Sequence, residues 1–123
     1  MTPLAVLGPG GVGGLVAART GAVCVGTERS VEAIRALGLT LVHDGAQTVT
    51  HPRAVTRLEE PVSLLVVAVK AHDLEAALAR IAPAALAGAV VLPLLNGLEH
   101  LERIRACNSL LQAPGAAVVA GAI

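Results

Sequence analysis

No phenylalanine, tyrosine or tryptophan occurs in the 123 residues, so the chain has no aromatic platform on which nucleobases could stack. Charge is sparse too. Nine basic and nine acidic residues cancel, and no run of one sign marks a nucleic-acid or membrane surface. Cys24 and Cys107 are the only cysteines; with no CxxC spacing, and Cys24 in an apolar segment read as core strand, two reduced thiols are expected. His43, His51, His72 and His100 are scattered without metal-ligand spacing, so they read as solvated positions and no metal site is expected. The apolar stretches are interrupted by Gly and Pro too often to span a bilayer. The first basic residue is Arg19, whereas a secretory signal would carry Lys or Arg ahead of its apolar run. A cytoplasmic protein is expected, with neither nucleic acid nor membrane as partner.

What the chain does have is glycine, thirteen in all, and their placement is informative at the N-terminus. Leu4-Ala-Val-Leu7 reads as a short buried strand, Gly8-Pro9-Gly10-Gly11-Val12-Gly13 follows at once, and Leu15-Val-Ala-Ala18 begins a helix. A GxGxxG at a strand-to-helix junction is the dinucleotide-binding pattern. Gly8 permits the tight turn, Gly10 lets backbone approach a pyrophosphate, and Gly13 lets the helix lie against the sheet. The helix start offers free N–H groups to the phosphates.

The rest of the chain alternates strands and helices. Ala22-Val-Cys-Val25 follows at βαβ distance, and Ser30–Leu37 reads as a helix with Ser30 as N-cap, Gly38 as stop, and Val31, Ile34 and Leu37 on its buried side. Asp44-Gly45 between Leu39–Val42 and Gln47–Thr50 signals a hairpin, and Ala54–Thr56 a short strand. Ser63–Val69, continuously apolar, reads as a central parallel strand covered on both faces. Leu74, Leu78 and Ile81 mark a helix face ending near Pro83 or Gly88. Ala89–Leu95 is a strand with Pro93 near its end, Leu98, Leu101 and Ile104 mark another helix, and Ala116–Ala120 a last strand. The expected fold is α/β, a Rossmann-like doubly wound, mostly parallel sheet with a small hairpin excursion near 39–50, in a single domain over residues 1–123.

Ligands in such sheets bind beyond the C-terminal strand ends. Three polar groups fall there: Thr27-Glu-Arg-Ser30 after the second strand, Lys70 after the central one, and Asn96-Gly97 after the next. Each could be only a cap, a strand end or a turn; together, beside the glycine loop, they outline a site.

These residues resemble the N-terminal domain of the ketopantoate reductases (2-dehydropantoate 2-reductases). The likeness rests on Ala5–Gly14, Ala33–Leu41, Val67-Ala-Val-Lys-Ala-His-Asp73 and Leu92-Pro-Leu-Leu-Asn-Gly-Leu-Glu-His100. It implies NADPH-dependent reduction of the 2-keto acid 2-dehydropantoate to pantoate, on the route to pantothenate and coenzyme A. It also implies cofactor contacts from Gly8, Pro9, Gly10, Gly11, Val12 and Gly13, from Lys70, and from Ala120 by its main chain, with Asn96 touching both cofactor and substrate. Arginine commonly follows the second strand in that family to pair with the 2′-phosphate; here Thr27 holds that place and Arg29 comes two residues later. Arg29 with Thr27 and Ser30 suits a phosphate, whereas Glu28 would suit the 2′-hydroxyl of NAD; NADP is the preferred reading. Leu95 stands where glutamine is common, and the short Arg19-Thr-Gly21 connection predicts a first helix about one turn shorter than usual.

The resemblance places the family's proton-donating lysine and most substrate ligands in a helical C-terminal domain with no counterpart in these residues. No catalytic residue is therefore expected here, and the chain alone is expected to be inactive. An uncovered edge around Pro93–Leu98 and Val118–Ile123 would favour a homodimer or a partner supplying the missing domain. A non-catalytic dinucleotide-sensing module and a degenerate remnant are the alternatives.

Overall fold

Eight strands and four helices follow one another in a computed structural model that describes residues 3–94, 98–107, 110 and 112–118. They are β1 (Leu4–Leu7), α1 (Gly11–Thr20), β2 (Val23–Val25), α2 (Glu28–Leu37), β3 (Leu39–His43), β4 (Ala46–Thr50), β5 (Ala54–Val55), β6 (Leu64–Val67), α3 (Leu74–Leu78), β7 (Val90–Pro93), α4 (Leu98–Arg105) and β8 (Ala117–Val118). Six strands form one sheet in the order β5-β2-β1-β6-β7-β8, all neighbours parallel. Counting only those strands, the order is 3-2-1-4-5-6, that of the dinucleotide-binding doubly wound sheet. β3 and β4 pair antiparallel in a separate two-stranded sheet, whose turn places Asp44 and Gly45 at φ +49° and +77°, as a primed hairpin turn requires.

The central strands are apolar at every position because both faces are covered. Val6, Cys24 and Val66 pack on one side with Ala17, Val31 and Ile34. Leu7, Val25, Leu65 and Val67, one residue along each strand, pack on the other with Leu74, Leu78, Ile81 and Ile104. The pleat divides one apolar run between two cores. Both cysteines are free, Cys24 buried and Cys107 half-buried, as the sequence implied. His43, His51 and His72 are exposed, while the side chain of His100 lies outside the described residues.

Several local expectations are corrected. Helix α2 begins two residues before Ser30: Thr27 is the N-cap, and its Oγ1 accepts the backbone N–H of Ser30 at 3.2 Å. Val31 and Ile34 are buried, but Leu37 is 74% exposed. Successive three-residue steps each fall about 60° short of a full turn at 3.6 residues per turn, so Leu37 has rotated off the stripe at the helix end. The α3 helix is much shorter than the Leu74–Ile81 periodicity suggested. It stops at Leu78, and Ile81 is instead held by a parallel bridge to Leu58 before a 3-10 turn over Pro83–Leu86; all three apolar residues are still buried. Pro93 ends β7 as expected, yet it is buried, and Leu94 is half-buried. The supposed bare edge is thus closed at its first residue, because Pro93 lies in register beside Val67 of β6. Leu95 to Gly97, and the stretch from Val119 on, fall outside the described residues.

Candidate dinucleotide site

The strand order reverses between β1 and β6, and there, beyond the C-terminal strand ends, a cavity of about 730 Å³ opens. Its floor is the glycine turn. Gly8 has φ +91°, and a Cβ there would come within 2.6 Å of Val69 Cγ1. The Gly8 N–H donates to the carbonyl of Val25 at 3.0 Å, and Ala68 N–H donates to Leu7 at 2.9 Å. The ends of β1, β2 and β6 are therefore tied together immediately beneath the cavity.

Helix α1 begins at this floor in a form suited to an anion. Its N-cap is Gly10, without a side chain, and its first turn holds no acidic residue. The first intrahelical bond runs from Gly14 N–H to the carbonyl of Gly10 at 3.2 Å. The preceding N–H groups of Gly11, Val12 and Gly13 thus have no carbonyl within the helix to receive them. Nothing lies within 4 Å of a Cβ built on Gly10 or Gly11, so the space above the helix start is open to a ligand. Backbone donors aimed into an open space at a helix N-terminus can hold a pyrophosphate.

The cavity brings together most of the residues singled out from sequence. Gly8, Pro9, Gly10, Gly11, Val12, Thr27 and Lys70 line it, and Gly13 is buried beneath. Arg29, on the first turn of α2, is exposed and outside the lining, while its neighbour Ser30 is part of it. Asn96 and Ala120 lie outside the described residues. Sequence reading overlooked Asp73, Ala76, Ala77 and Arg80 as lining residues. Asp73 closes the Val-Lys-Ala-His-Asp motif and could have been suspected; Arg80 had no local signal, because its hydrogen bond to the carbonyl of Thr56, just after β5, exists only in the tertiary fold. Among the described residues there is no group of three or more His, Cys, Asp or Glu that could hold a metal, and no helix is long and apolar enough to cross a membrane.

Behind Lys70, the chain makes a 3-10 turn over Ala71–Asp73 that is fastened from α4. Arg103 Nη2 donates to the carbonyl of Ala71 at 2.8 Å and to Glu75 Oε2 at 2.6 Å, while its Nε donates to Glu75 Oε1 at 2.9 Å. This fork holds the Glu75 carboxyl below the usual carboxylate range, chiefly through the hydrogen bond from Arg103. At the opposite edge, Arg35 donates to the carbonyl of Ala54 at 2.8 and 3.2 Å, fixing α2 against β5.

Comparison with known proteins agrees with this geometry. The 2-dehydropantoate 2-reductase of Mesorhizobium japonicum is 38% identical over 88 residues, an alignment spanning 65% of this chain and 27% of that protein. The crystal structure of 2-dehydropantoate 2-reductase from Porphyromonas gingivalis W83 superposes with a TM-score of 0.63 at 27% identity, covering 99% of this chain and 52% of that one. PanE from Bacillus subtilis gives a TM-score of 0.70 at 25% identity, covering 85% and 37%. The chain thus spans about a quarter to a half of the length of these relatives. The family description "Ketopantoate reductase PanE/ApbA" matches residues 4–123, and with strand order, glycine turn and Lys70 placed as described, the chain belongs to the ketopantoate reductase family.

Proposed function

We propose that this chain is the NADPH-binding part of a 2-dehydropantoate 2-reductase, and that the whole protein reduces 2-dehydropantoate to pantoate. The observation that carries this reading is that Gly10, Gly11, Val12, Thr27 and Lys70, from three separate chain segments, line one cavity at the switch point of the sheet. When bound, NADPH supplies the hydride for the ketone carbon. The chain's own residues bind and orient. The N–H groups of Gly11, Val12 and Gly13 take the pyrophosphate, the Lys70 ammonium lies along it, and Thr27 with Arg29 receives the adenosine ribose and its 2′-phosphate. Asn96 and Ala120 complete the cofactor contacts by family resemblance, with Asn96 also facing the substrate. A cytoplasmic setting accords with that biosynthetic role.

Equilibrium binding of NADPH to Lys70→Ala tests the assignment. Losing a charge-assisted contact of about 1.5–3 kcal/mol should weaken binding at least about tenfold with no change in the far-UV spectrum. Unchanged affinity would remove Lys70 from the site.

A further inference from the structure

Arg80 is a cavity residue to which neither the sequence pattern nor the family resemblance gives a role. It lies two residues past α3, and its backbone is fixed on both sides. Leu58 N–H donates to the Arg80 carbonyl at 2.8 Å, Arg80 N–H donates to Ala77 at 3.0 Å, and Ala82 N–H donates to Leu58 at 2.9 Å. Arg80 is half-buried, and its Nη1 donates to the carbonyl of Thr56 at 3.2 Å. Thr56 directly follows Val55, whose carbonyl accepts the N–H of Gly26 at 3.2 Å. The guanidinium is therefore anchored beside the outlet of β2, on the same cavity as Gly26, Thr27 and Ser30. In a doubly wound sheet that outlet is where the adenosine ribose rests.

Arg53, Arg57 and Arg103 each pair with a carboxylate, respectively Glu60, Glu59 and Glu75. Arg19, Arg29, Arg35, Arg80 and Arg105 are in none of the ion pairs among the described residues, and of these Arg80 alone lines the cavity. A guanidinium carries five N–H donors, so the bond to Thr56 leaves others to face the cavity. A half-buried cation held by one carbonyl, without a carboxylate, favours an anionic ligand, and its planar fork suits a phosphate.

We propose that Arg80 reads the 2′-phosphate of the adenosine ribose and is a principal determinant of NADPH over NADH in this chain. The proposal rests on the dinucleotide reading above and adds to it a cation that lines the cavity. Arg29 is exposed and makes no lining contact, whereas the anchored Arg80 has less side-chain freedom to lose on binding.

The test uses adenosine 2′,5′-bisphosphate and 5′-AMP as probes, titrated calorimetrically into the unaltered chain and into Arg80→Ala, Arg80→Lys and Arg29→Ala. The unaltered chain should prefer the bisphosphate. Arg80→Ala should lose about 10- to 100-fold in bisphosphate affinity while 5′-AMP stays within about twofold, and Arg80→Lys should keep an intermediate preference. Far-UV melting of each variant accompanies the titrations, since a merely structural role would weaken both nucleotides together. Equal losses for the two probes, or an undiminished preference in Arg80→Ala, would overturn the proposal. If the folded, unaltered chain bound neither probe nor NADPH, the dinucleotide reading would fail, and this proposal with it.

Discussion

The α carbon of Gly13 faces the carbonyl oxygen of Gly8 so closely that a Cβ built on Gly13 would collide with it, and would also lie 3.1 Å from the Cβ of Ala68. Helix α1 meets the end of β1 here through bare backbone. Gly10, three residues earlier, has extended backbone (φ −95°, ψ 159°) and nothing within 4 Å of its would-be Cβ. The two glycines therefore serve different ends. Gly13→Ala should destabilise the fold by about 1–3 kcal/mol, the usual range for overpacking, seen as a lower Tm in far-UV melting. Gly10→Val should melt within a few degrees of the unaltered chain, as surface changes do, yet lose most of its NADPH affinity. A Gly10→Val variant that binds normally would place the pyrophosphate elsewhere.

That division was readable from the sequence because the motif's geometry is local: strand, turn and helix are contiguous. So were the parallel sheet and the hairpin, since an apolar run such as Ser63–Val69 has few other solutions and Asp44-Gly45 specifies its own turn. The losses are where tertiary partners decide. The Leu74–Ile81 pattern was a correct list of buried residues but a wrong helix, because Leu58 captures Ile81 in a bridge. Ser30 looked like a cap, but Thr27 lies at the residue where the chain leaves β2 and so reaches the helix start first. Arg80 was invisible for the same reason: 24 residues separate it from Thr56.

Arg103 and Glu75 join α4 to the turn that follows Lys70. The folded-state pKa of Glu75 is lowered by the hydrogen bond from Arg103, and that of Glu60 by the hydrogen bond from Arg53. A lowered carboxyl pKa favours the folded state at pH above the ordinary value of 4.5 and ceases to do so as pH falls through the folded value. Melting temperature should therefore decline below about pH 4.5, and the decline should be shallower in Arg103→Ala. Carboxyl titration by NMR checks the cause: in Arg103→Ala the Glu75 signal should titrate nearer the ordinary carboxylate range, with Glu60 unmoved.

Burial pushes the Cys24 thiol above its ordinary 9.0. At neutral pH it is a protonated, enclosed group, while Cys107 is half-buried. A thiol reagent at pH 7.5 should label Cys107 first and Cys24 only at the rate of opening or unfolding. The raised pKa also predicts lost stability as pH climbs above about 9, where the unfolded chain releases this proton first. Mass spectrometry of the labelled chain distinguishes the sites, and equal labelling rates would contradict the burial of Cys24.

Lys70 is the only lysine of the chain, and it lies on the cavity wall with the glycine loop. In the proposed reading it binds cofactor, so these 123 residues alone should not oxidise NADPH in the presence of 2-dehydropantoate. General acid catalysis is worth about 10²–10⁴ in rate, and no group in the described cavity is assigned to that role. Turnover by the unaltered chain that vanished in Lys70→Ala even at saturating NADPH would make Lys70 the proton donor and reverse this assignment.

The central claim is that the cavity beyond β1, β2 and β6 holds NADPH, and the chain's own composition makes that directly measurable. With no Trp, Tyr or Phe, it contributes no aromatic emission, so the fluorescence of NADPH can be followed alone as the protein is added. The account predicts a saturable change in emission, stronger for NADPH than for NADH, and abolished by Gly10→Val. No change up to about millimolar cofactor, an affinity of only about 4 kcal/mol or less, with far-UV spectra showing the chain folded, would contradict it.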